Sequence, residues 1–203
     1  MNSNSLQELA GDTDIYLLDQ IMKGRYRETD KILDAGCGGG RNLHWFLKEG
    51  IEIYGIDQNA VAIDALKIAN PLLAADRFQP SPVQRIPFEN NFFDHVISSA
   101  VLHFANSLSQ FQAMMAEMVR VLKPGGSLFI RMTSDIGIEN KVSLVNDGVY
   151  LIPDGSTRFL LTRSLLSDIL QQYSLSFIEP FKTVNVDDMR CMSTLVLQKS
   201  QQH

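Results

Sequence analysis

The sequence predicts a doubly wound α/β fold with a mostly parallel central sheet. Strand and helix signals alternate along the 203 residues, and most strand segments are short apolar runs, as in sheets that are buried on both faces. A glycine-rich turn, GCGGG at residues 36–40, joins the first of these strands to a helix. The length and the 45% apolar content favour one domain over residues 1–203.

The first half of the chain has a strand–helix order. Apolar residues at helical spacing predict a helix over residues 14–23, inside an N-terminal helical cap of residues 1–30. Periodicity and turn residues then predict strands at 31–35, 52–56, 77–79 and 95–99, with helices at 41–49 and 59–69.

The second half begins with the clearest helix, residues 107–123. Its apolar residues keep to one helical face, so its methionines are expected in the core. The Pro-Gly-Gly run at 124–126 is expected to end that helix and to lead into a strand at 127–132. Thr162 predicts the start of a helix that reaches residue 172, and the runs 175–186 and 193–199 predict an antiparallel C-terminal pair.

Composition excludes several classes of partner and site. The net charge of −5, without a run of Lys or Arg, argues against a nucleic-acid partner. No apolar run approaches the roughly 18 residues of a membrane span, and the N-terminus does not resemble a signal peptide, so a cytoplasmic location is expected. The two cysteines are too few for a disulfide framework or a zinc cluster, and no metal site is expected.

The glycine loop departs from both common phosphate-binding patterns. A dinucleotide fingerprint needs a third glycine where Arg41 stands, and a P-loop needs Lys followed by Ser or Thr after its last glycine. Asp57, at the end of the next strand, is placed to accept hydrogen bonds from ribose hydroxyls. The alternative for Asp57 is a helix cap, for which Asn59 is a competing candidate.

Four motifs in order, LDAGCGGGRN, YGIDQN, IPFENNFFDHVISSAVLHF and MVRVLKPGGSLFI, resemble the class I S-adenosylmethionine-dependent methyltransferases. The resemblance is close over residues 32–132 and is of the methyltransferase type 11 kind. The Gly-Arg-Asn run adds a weaker likeness to the tellurite-resistance type of small-molecule methyltransferase. The resemblance implies a Rossmann-like sheet of seven strands with an antiparallel C-terminal strand. It also implies S-adenosylmethionine as cofactor, with methyl transfer to an unidentified, small-molecule acceptor.

The resemblance also implies roles for individual residues. Asp34 would face the ammonium of the cofactor through water, Asp57 would hold the ribose, and Gln58 would flank the adenine. The family often has an aspartate for the adenine where this sequence has Ser81 and Pro82, so Ser81 or the backbone of Val83 would read that base. The other implied contacts are Gly36, Gly38 and Gly40 with the methionine part and Ser98 with the methyl group.

The acceptor side is less defined by the sequence. His103 is the histidine nearest the expected mouth of the site, with a catalytic role, an acceptor contact or simple packing as alternatives. The insertion 133–160 is long for a connection and is expected to be a lid over the acceptor, with Tyr150 and Arg158 available to hold it. A structural flap or a homodimer contact is equally compatible. A non-catalytic cofactor-binding or assembly module and a nicotinamide-dependent oxidoreductase are the alternative functions.

Overall fold

A central sheet organises the protein, for which the computed structural model describes the backbone of residues 3–201 and the side chains of residues 7–201. Its strands are β1 Lys31–Ala35, β2 Glu52–Asp57, β3 Phe78–Pro80, β4 Phe93–Ser99, β5 Leu122–Ser134, β9 Leu175–Phe177, β10 Lys182–Val186 and β11 Arg190–Lys199. A smaller sheet contains β6 Ser143–Asn146, β7 Val149–Leu151 and β8 Thr157–Phe159.

The strand order of the central sheet is β10-β11-β5-β4-β1-β2-β3. The five strands β1 to β5 run parallel, and β11 is antiparallel to β5. The predicted fold class is therefore confirmed, but the central sheet has eight strands where seven were expected. The expected C-terminal pair differs in detail, because residues 175–186 form two strands, β9 and β10, which both pair with β11.

Six α-helices accompany these strands in the described part of the chain, two of them before β1. They are α1 Ser3–Ala10, α2 Ile15–Met22, α3 His44–Lys48, α4 Ala60–Ala69, α5 Leu108–Val121 and α6 Arg163–Gln172. Side chains of Asp14, Asn59, Ser107 and Thr162 accept backbone hydrogen bonds at the starts of α2, α4, α5 and α6. Residues 1 and 2 of the predicted N-terminal cap lie outside the described residues.

Hydrophobic residues pack on both faces of the sheet. Neighbouring residues of β4, Val96 and Ile97, belong to two different core clusters, because successive side chains of a strand point to opposite faces. Met115 and Met118 of α5 are fully buried in one of these clusters, so the interpretation of the methionines as core residues is confirmed.

Several predicted boundaries were wrong by two residues or more, and the structure explains two of them. The helix expected at 41–49 begins at His44, because residues 41–43 form turns after Gly40, whose φ is +85°. The Pro-Gly-Gly run does not precede a strand but lies inside β5. Phe93 pairs with Leu122 and His95 with Ser127, so residues 123–126 bulge out of the ladder while the strand continues on both sides.

The insertion 133–160 contains the antiparallel sheet β6-β7-β8. Its attachment to the main body runs through Ser134, which bridges to Leu161, and through Phe159, whose ring stacks on that of Phe111 with centroids 4.7 Å apart. None of the helices in residues 3–201 combines the length and the apolar character needed to cross a membrane.

Candidate functional site

The candidate site lies at the carboxyl ends of β1, β2 and β4, where ligands bind in doubly wound sheets. Three concave regions meet there. The Asp57 cleft, of about 250 Å³, includes Asp57, Gln58, Val83 and Gln84 in its lining. The glycine-loop cleft, of about 650 Å³, is formed by residues 36–41 together with Asp12, His44 and Ser99. The arginine pocket, of about 250 Å³, contains Arg131, Arg158, Arg190 and His103.

The glycine loop shows two different uses of glycine. A Cβ at Gly36 would lie 2.5 Å from Val101, and a Cβ at Gly40 would lie 2.5 Å from Leu66, so these two positions allow close packing. Around Gly38 and Gly39, nothing in the described residues lies within 4 Å of an added Cβ. The middle of the loop therefore faces open space, as a ligand-binding backbone requires. Gly36, Gly38 and Gly40 all line the glycine-loop cleft.

Asp57 connects the loop to the next strand. Its Oδ2 accepts a 2.9 Å hydrogen bond from the amide of Gly38, and its Oδ1 accepts a 2.8 Å hydrogen bond from the amide of Asn59. Asn59, and not Asp57, caps α4 through the amides of Val61 and Ala62. The Asp57 carboxylate is half-buried in the cleft and has further lone pairs for ligand hydroxyls.

Asp34 is a buried acid with no partner. It is 1% exposed, and neither carboxylate oxygen has a hydrogen-bond partner among the described residues. Burial raises the pKa of Asp34 to about 7, with Arg41 acting in the opposite direction and Asp57 adding to the increase. Asp34 does not line any of the three concave regions described above. It lies behind the loop as a buried acid that a nearby cation would stabilise.

The structure places only part of the predicted adenine contacts in the Asp57 cleft. Gln58 and Val83 line it, but Ser81 does not, because the Ser81 hydroxyl donates to the carbonyl of Arg85 at 2.6 Å and the residue is 5% exposed. Sequence reasoning missed Gln84, which lines the cleft with an amide side chain. Its position next to Val83, which was predicted to contact the adenine, was the sequence feature that could have identified it.

Ser98 is likewise not brought into a cleft. It is fully buried, and its Oγ has no partner among residues 7–201, whereas the adjacent Ser99 lines the glycine-loop cleft. The Oγ of Ser99 donates to Oδ2 of Asp14 at 3.0 Å and accepts from Arg41 at 3.3 Å. Consecutive strand residues face opposite ways, so the side chain of Ser99, and not that of Ser98, lies at the cleft.

Asp14 is a second residue that the sequence did not identify. Besides capping α2, its 4% exposed side chain pairs with Arg131 at 3.1 Å and with Arg41 at 3.6 Å. The side-chain Oδ1 of Asn42 accepts a 3.0 Å hydrogen bond from the backbone amide of Asp14. The N-terminal segment is thereby fixed to the glycine loop and to the end of β5. The Thr-Asp pair before α2 signals only a helix cap, so its link to the site could not be predicted.

His103 lies at the border between the arginine pocket and a neighbouring surface groove. It is 7% exposed, and the amide of Thr133 donates to its Nδ1 at 3.4 Å. Burial, followed by the charges of Arg158, Arg131 and Arg190, lowers the pKa of His103 to about 4. A neutral imidazole whose Nδ1 accepts a hydrogen bond carries its proton on Nε2, so the free nitrogen is a donor.

The insertion contributes Arg158, Ile152 and Asp154 to the arginine pocket, and Tyr150 does not line it. Among residues 3–201, no group of three or more His, Cys, Asp or Glu has the arrangement of a metal site.

Comparison with known proteins finds one matching family model and several relatives. Residues 33–130 match the family model described as methyltransferase domain. Malonyl-[acyl-carrier protein] O-methyltransferase of Erwinia billingiae is 33% identical over 111 residues, which are 54% of this chain and 41% of that protein. The chain spans about half the length of the curated relatives that it matches first.

Solved structures share the fold. An S-adenosylmethionine-dependent methyltransferase from Methanosarcina mazei has a TM-score of 0.70 at 20% identity, covering 90% of this chain and 98% of that one. The 1,6-didemethyltoxoflavin-N1-methyltransferase of Burkholderia thailandensis, solved with 1,6-didemethyltoxoflavin and S-adenosylhomocysteine, has a TM-score of 0.66 at 18% identity, covering 91% and 76%. These identities establish a common fold, and the S-adenosylmethionine dependence and the bound S-adenosylhomocysteine are properties of those two neighbours. Residues 33–130 therefore match the methyltransferase-domain family, and the chain shares its fold with an S-adenosylmethionine-dependent methyltransferase of known structure.

Proposed function

We propose that this protein binds S-adenosylmethionine and transfers a methyl group to a small-molecule acceptor. The observation that carries the proposal is the open backbone of Gly38 and Gly39 between two acids, Asp57 at the mouth of the cleft and the unpartnered Asp34 behind the loop.

The donor set fits this cofactor. S-Adenosylmethionine carries a sulfonium and an ammonium and no phosphate, so acids beside an uncrowded backbone suit it better than they suit a dinucleotide. Asp57 would hold the ribose hydroxyls, and Gln58, Val83 and Gln84 would surround the adenine. The backbone of the glycine loop, with Asp34 behind it, would hold the methionine part.

When bound, the cofactor supplies a methyl group that is activated by the positive sulfur. The chain's own residues position the acceptor and exclude water. Ala100 lines both clefts and the arginine pocket, so an acceptor in that pocket would lie next to a ligand in the clefts. His103 would contact the acceptor as a donor through Nε2 and not as a general base, because its Nδ1 is used by Thr133.

One relative, by its name, acts on a malonyl group carried by an acyl-carrier protein. A carrier-linked acceptor is therefore the second candidate for this chain. A purified panel of free acids, with their acyl-carrier thioesters tested in parallel, distinguishes a free molecule from a carried one.

Two measurements test the proposed function. Calorimetry with S-adenosylmethionine, S-adenosylhomocysteine and NAD should give heats of binding for the first two alone. Incubation of a metabolite pool with methyl-labelled cofactor should then transfer label to a pool component. Binding of NAD alone would support the oxidoreductase alternative. Cofactor binding without labelled product from any pool would instead favour a non-catalytic binding module.

A further inference from the structure

The arginine pocket concentrates positive charge from distant parts of the chain. Arg131 lies near the end of β5, Arg158 in β8 of the insertion, and Arg190 at the start of β11. All three line one pocket of about 250 Å³. Bringing guanidinium groups together is unfavourable unless anions compensate them, so their partners decide what the pocket can bind.

The carboxylates of the protein compensate these arginines only in part. Arg131 is paired with Asp14 at 3.1 Å, yet its buried Nε has no partner among the described residues. Arg190 forms a long ion pair with Asp154, with the nitrogen and oxygen 4.0 Å apart. Asp154 also accepts hydrogen bonds from the amide and the hydroxyl of Ser156.

Arg158 forms no ion pair within the described part of the chain. It donates to the carbonyl of Thr157 at 2.7 Å, and its guanidinium lies 5.2 Å from the ring centroid of Phe104. The positive charge of Arg158 and the free donors of Arg190 therefore remain available in the pocket. Arginine donors in a fork match the two oxygens of a carboxylate.

His103 also offers a hydrogen-bond donor that suits a carboxylate oxygen. Since its Nδ1 accepts from Thr133, its Nε2 is a donor, and the low pKa of His103 keeps the ring neutral beside the arginines. The pocket thus offers cationic and neutral donors around Met192 and Ile152, which provide an apolar wall, and Asp154 is the one carboxylate among its described lining residues.

Resting on the proposed function, we infer that the acceptor is a small carboxylic acid, and that Arg158 and Arg190 bind its carboxylate in the arginine pocket. Ala100, which also lines the two cofactor-side clefts, places this anion next to the expected cofactor. A carboxylate has only acceptors at neutral pH, and it therefore satisfies donors that an amine or a neutral amide would leave partly unpaired.

The test measures binding and does not depend on turnover. The protein saturated with S-adenosylhomocysteine is titrated calorimetrically with malonate, succinate, glutarate and benzoate, and with the matching uncharged amides, at constant ionic strength. We expect at least one acid to bind while its amide does not. Arg158→Gln and Arg190→Gln should each weaken that acid about tenfold or more, equivalent to roughly 1.4 kcal/mol.

The matched control is Arg27→Gln. Arg27 is exposed and precedes β1, at the opposite end of the sheet from the clefts, so its loss should leave acid binding unchanged. Binding of S-adenosylhomocysteine should be the same in all four proteins, which separates this inference from the proposed function. Equal binding of acids and amides, no binding of any acid to the cofactor-loaded protein, or equal losses in Arg27→Gln and Arg158→Gln would overturn the inference.

Discussion

The amide of Gly38 donates a 2.9 Å hydrogen bond to Oδ2 of Asp57, which joins the glycine loop to the end of β2. The acid thus has two functions at once, since it fixes the loop conformation and presents its remaining lone pairs to the cleft. Its removal should affect both ligand binding and the loop.

Asp57→Ala should lower the affinity for S-adenosylmethionine by at least about tenfold, because hydrogen bonds to a charged group contribute about 1.5–3 kcal/mol. It should also reduce the free energy of unfolding by about 1–2 kcal/mol, since two backbone amides lose their acceptor. Calorimetry and urea unfolding measure the two effects. The control is Asp64→Ala, an exposed aspartate on α4. Unchanged affinity in Asp57→Ala would show that the ribose lies elsewhere.

Gly40 and Gly39 should respond differently to alanine. Gly40 has a φ of +85°, and its added Cβ would lie 2.5 Å from Cδ2 of Leu66, so Gly40→Ala should lose about 1–3 kcal/mol of unfolding free energy. Gly39→Ala meets nothing within 4 Å in the described structure and should change stability by less than about 0.5 kcal/mol. Urea unfolding compares them, and equal losses would contradict the assigned packing role of Gly40.

Asp34 should make the ligand-free protein less stable as pH rises. Its pKa is about 7 in the folded protein, against an ordinary value of 3.8, so the folded state binds more protons between these limits and stability falls as pH increases through them. The loss is on the order of 4 kcal/mol at most. Asp34→Asn removes this pH dependence. The free energy of unfolding of the variant, relative to that of the wild type, should therefore increase between about pH 5 and pH 8. Urea unfolding of both proteins at the two pH values measures this difference. An equal loss of stability with pH in the wild type and in the variant would contradict the prediction. The affinity for S-adenosylmethionine should fall in the same variant, because the positively charged cofactor would no longer have the buried carboxylate of Asp34 behind the loop.

His103 should remain neutral well below its usual range. Its pKa is about 4 in the folded protein, against an ordinary value of 6.5, so the unfolded state binds the extra proton and this residue's contribution lowers stability as pH falls from about 6.5 to about 4. NMR titration should show its ring signal unchanged from about pH 8 to about pH 5. His103→Gln assigns the signal by its disappearance. A midpoint near 6.5 would mean that the ring is solvated and free to act as a base.

Local pattern was sufficient for most of the fold. The apolar spacing of α5 and the caps of α4 and α6 are set by nearby residues, so the sequence determined these elements. The glycine loop and Asp57 could also be predicted, because a strand–loop–helix unit places the end of the next parallel strand beside the loop. Period alone could not place the start of α3, where a positive φ at Gly40 and the turns after it delay the helix.

What only the tertiary structure decided depends on contacts between distant residues. Whether Ser98 or Ser99 faces the cleft is a matter of one residue in a period of two, and strand register fixes it. Asp14 and Arg131 are 117 positions apart, and their ion pair exists because α2 folds over the end of β5. The meeting of Arg131, Arg158 and Arg190 likewise needs β5, β8 and β11 to be assembled. The sequence by itself determined the fold class and the glycine loop with Asp57, which depend on residues close in the chain. The arginine pocket is built from residues that only the packed sheets bring together, so it was decided by the tertiary structure.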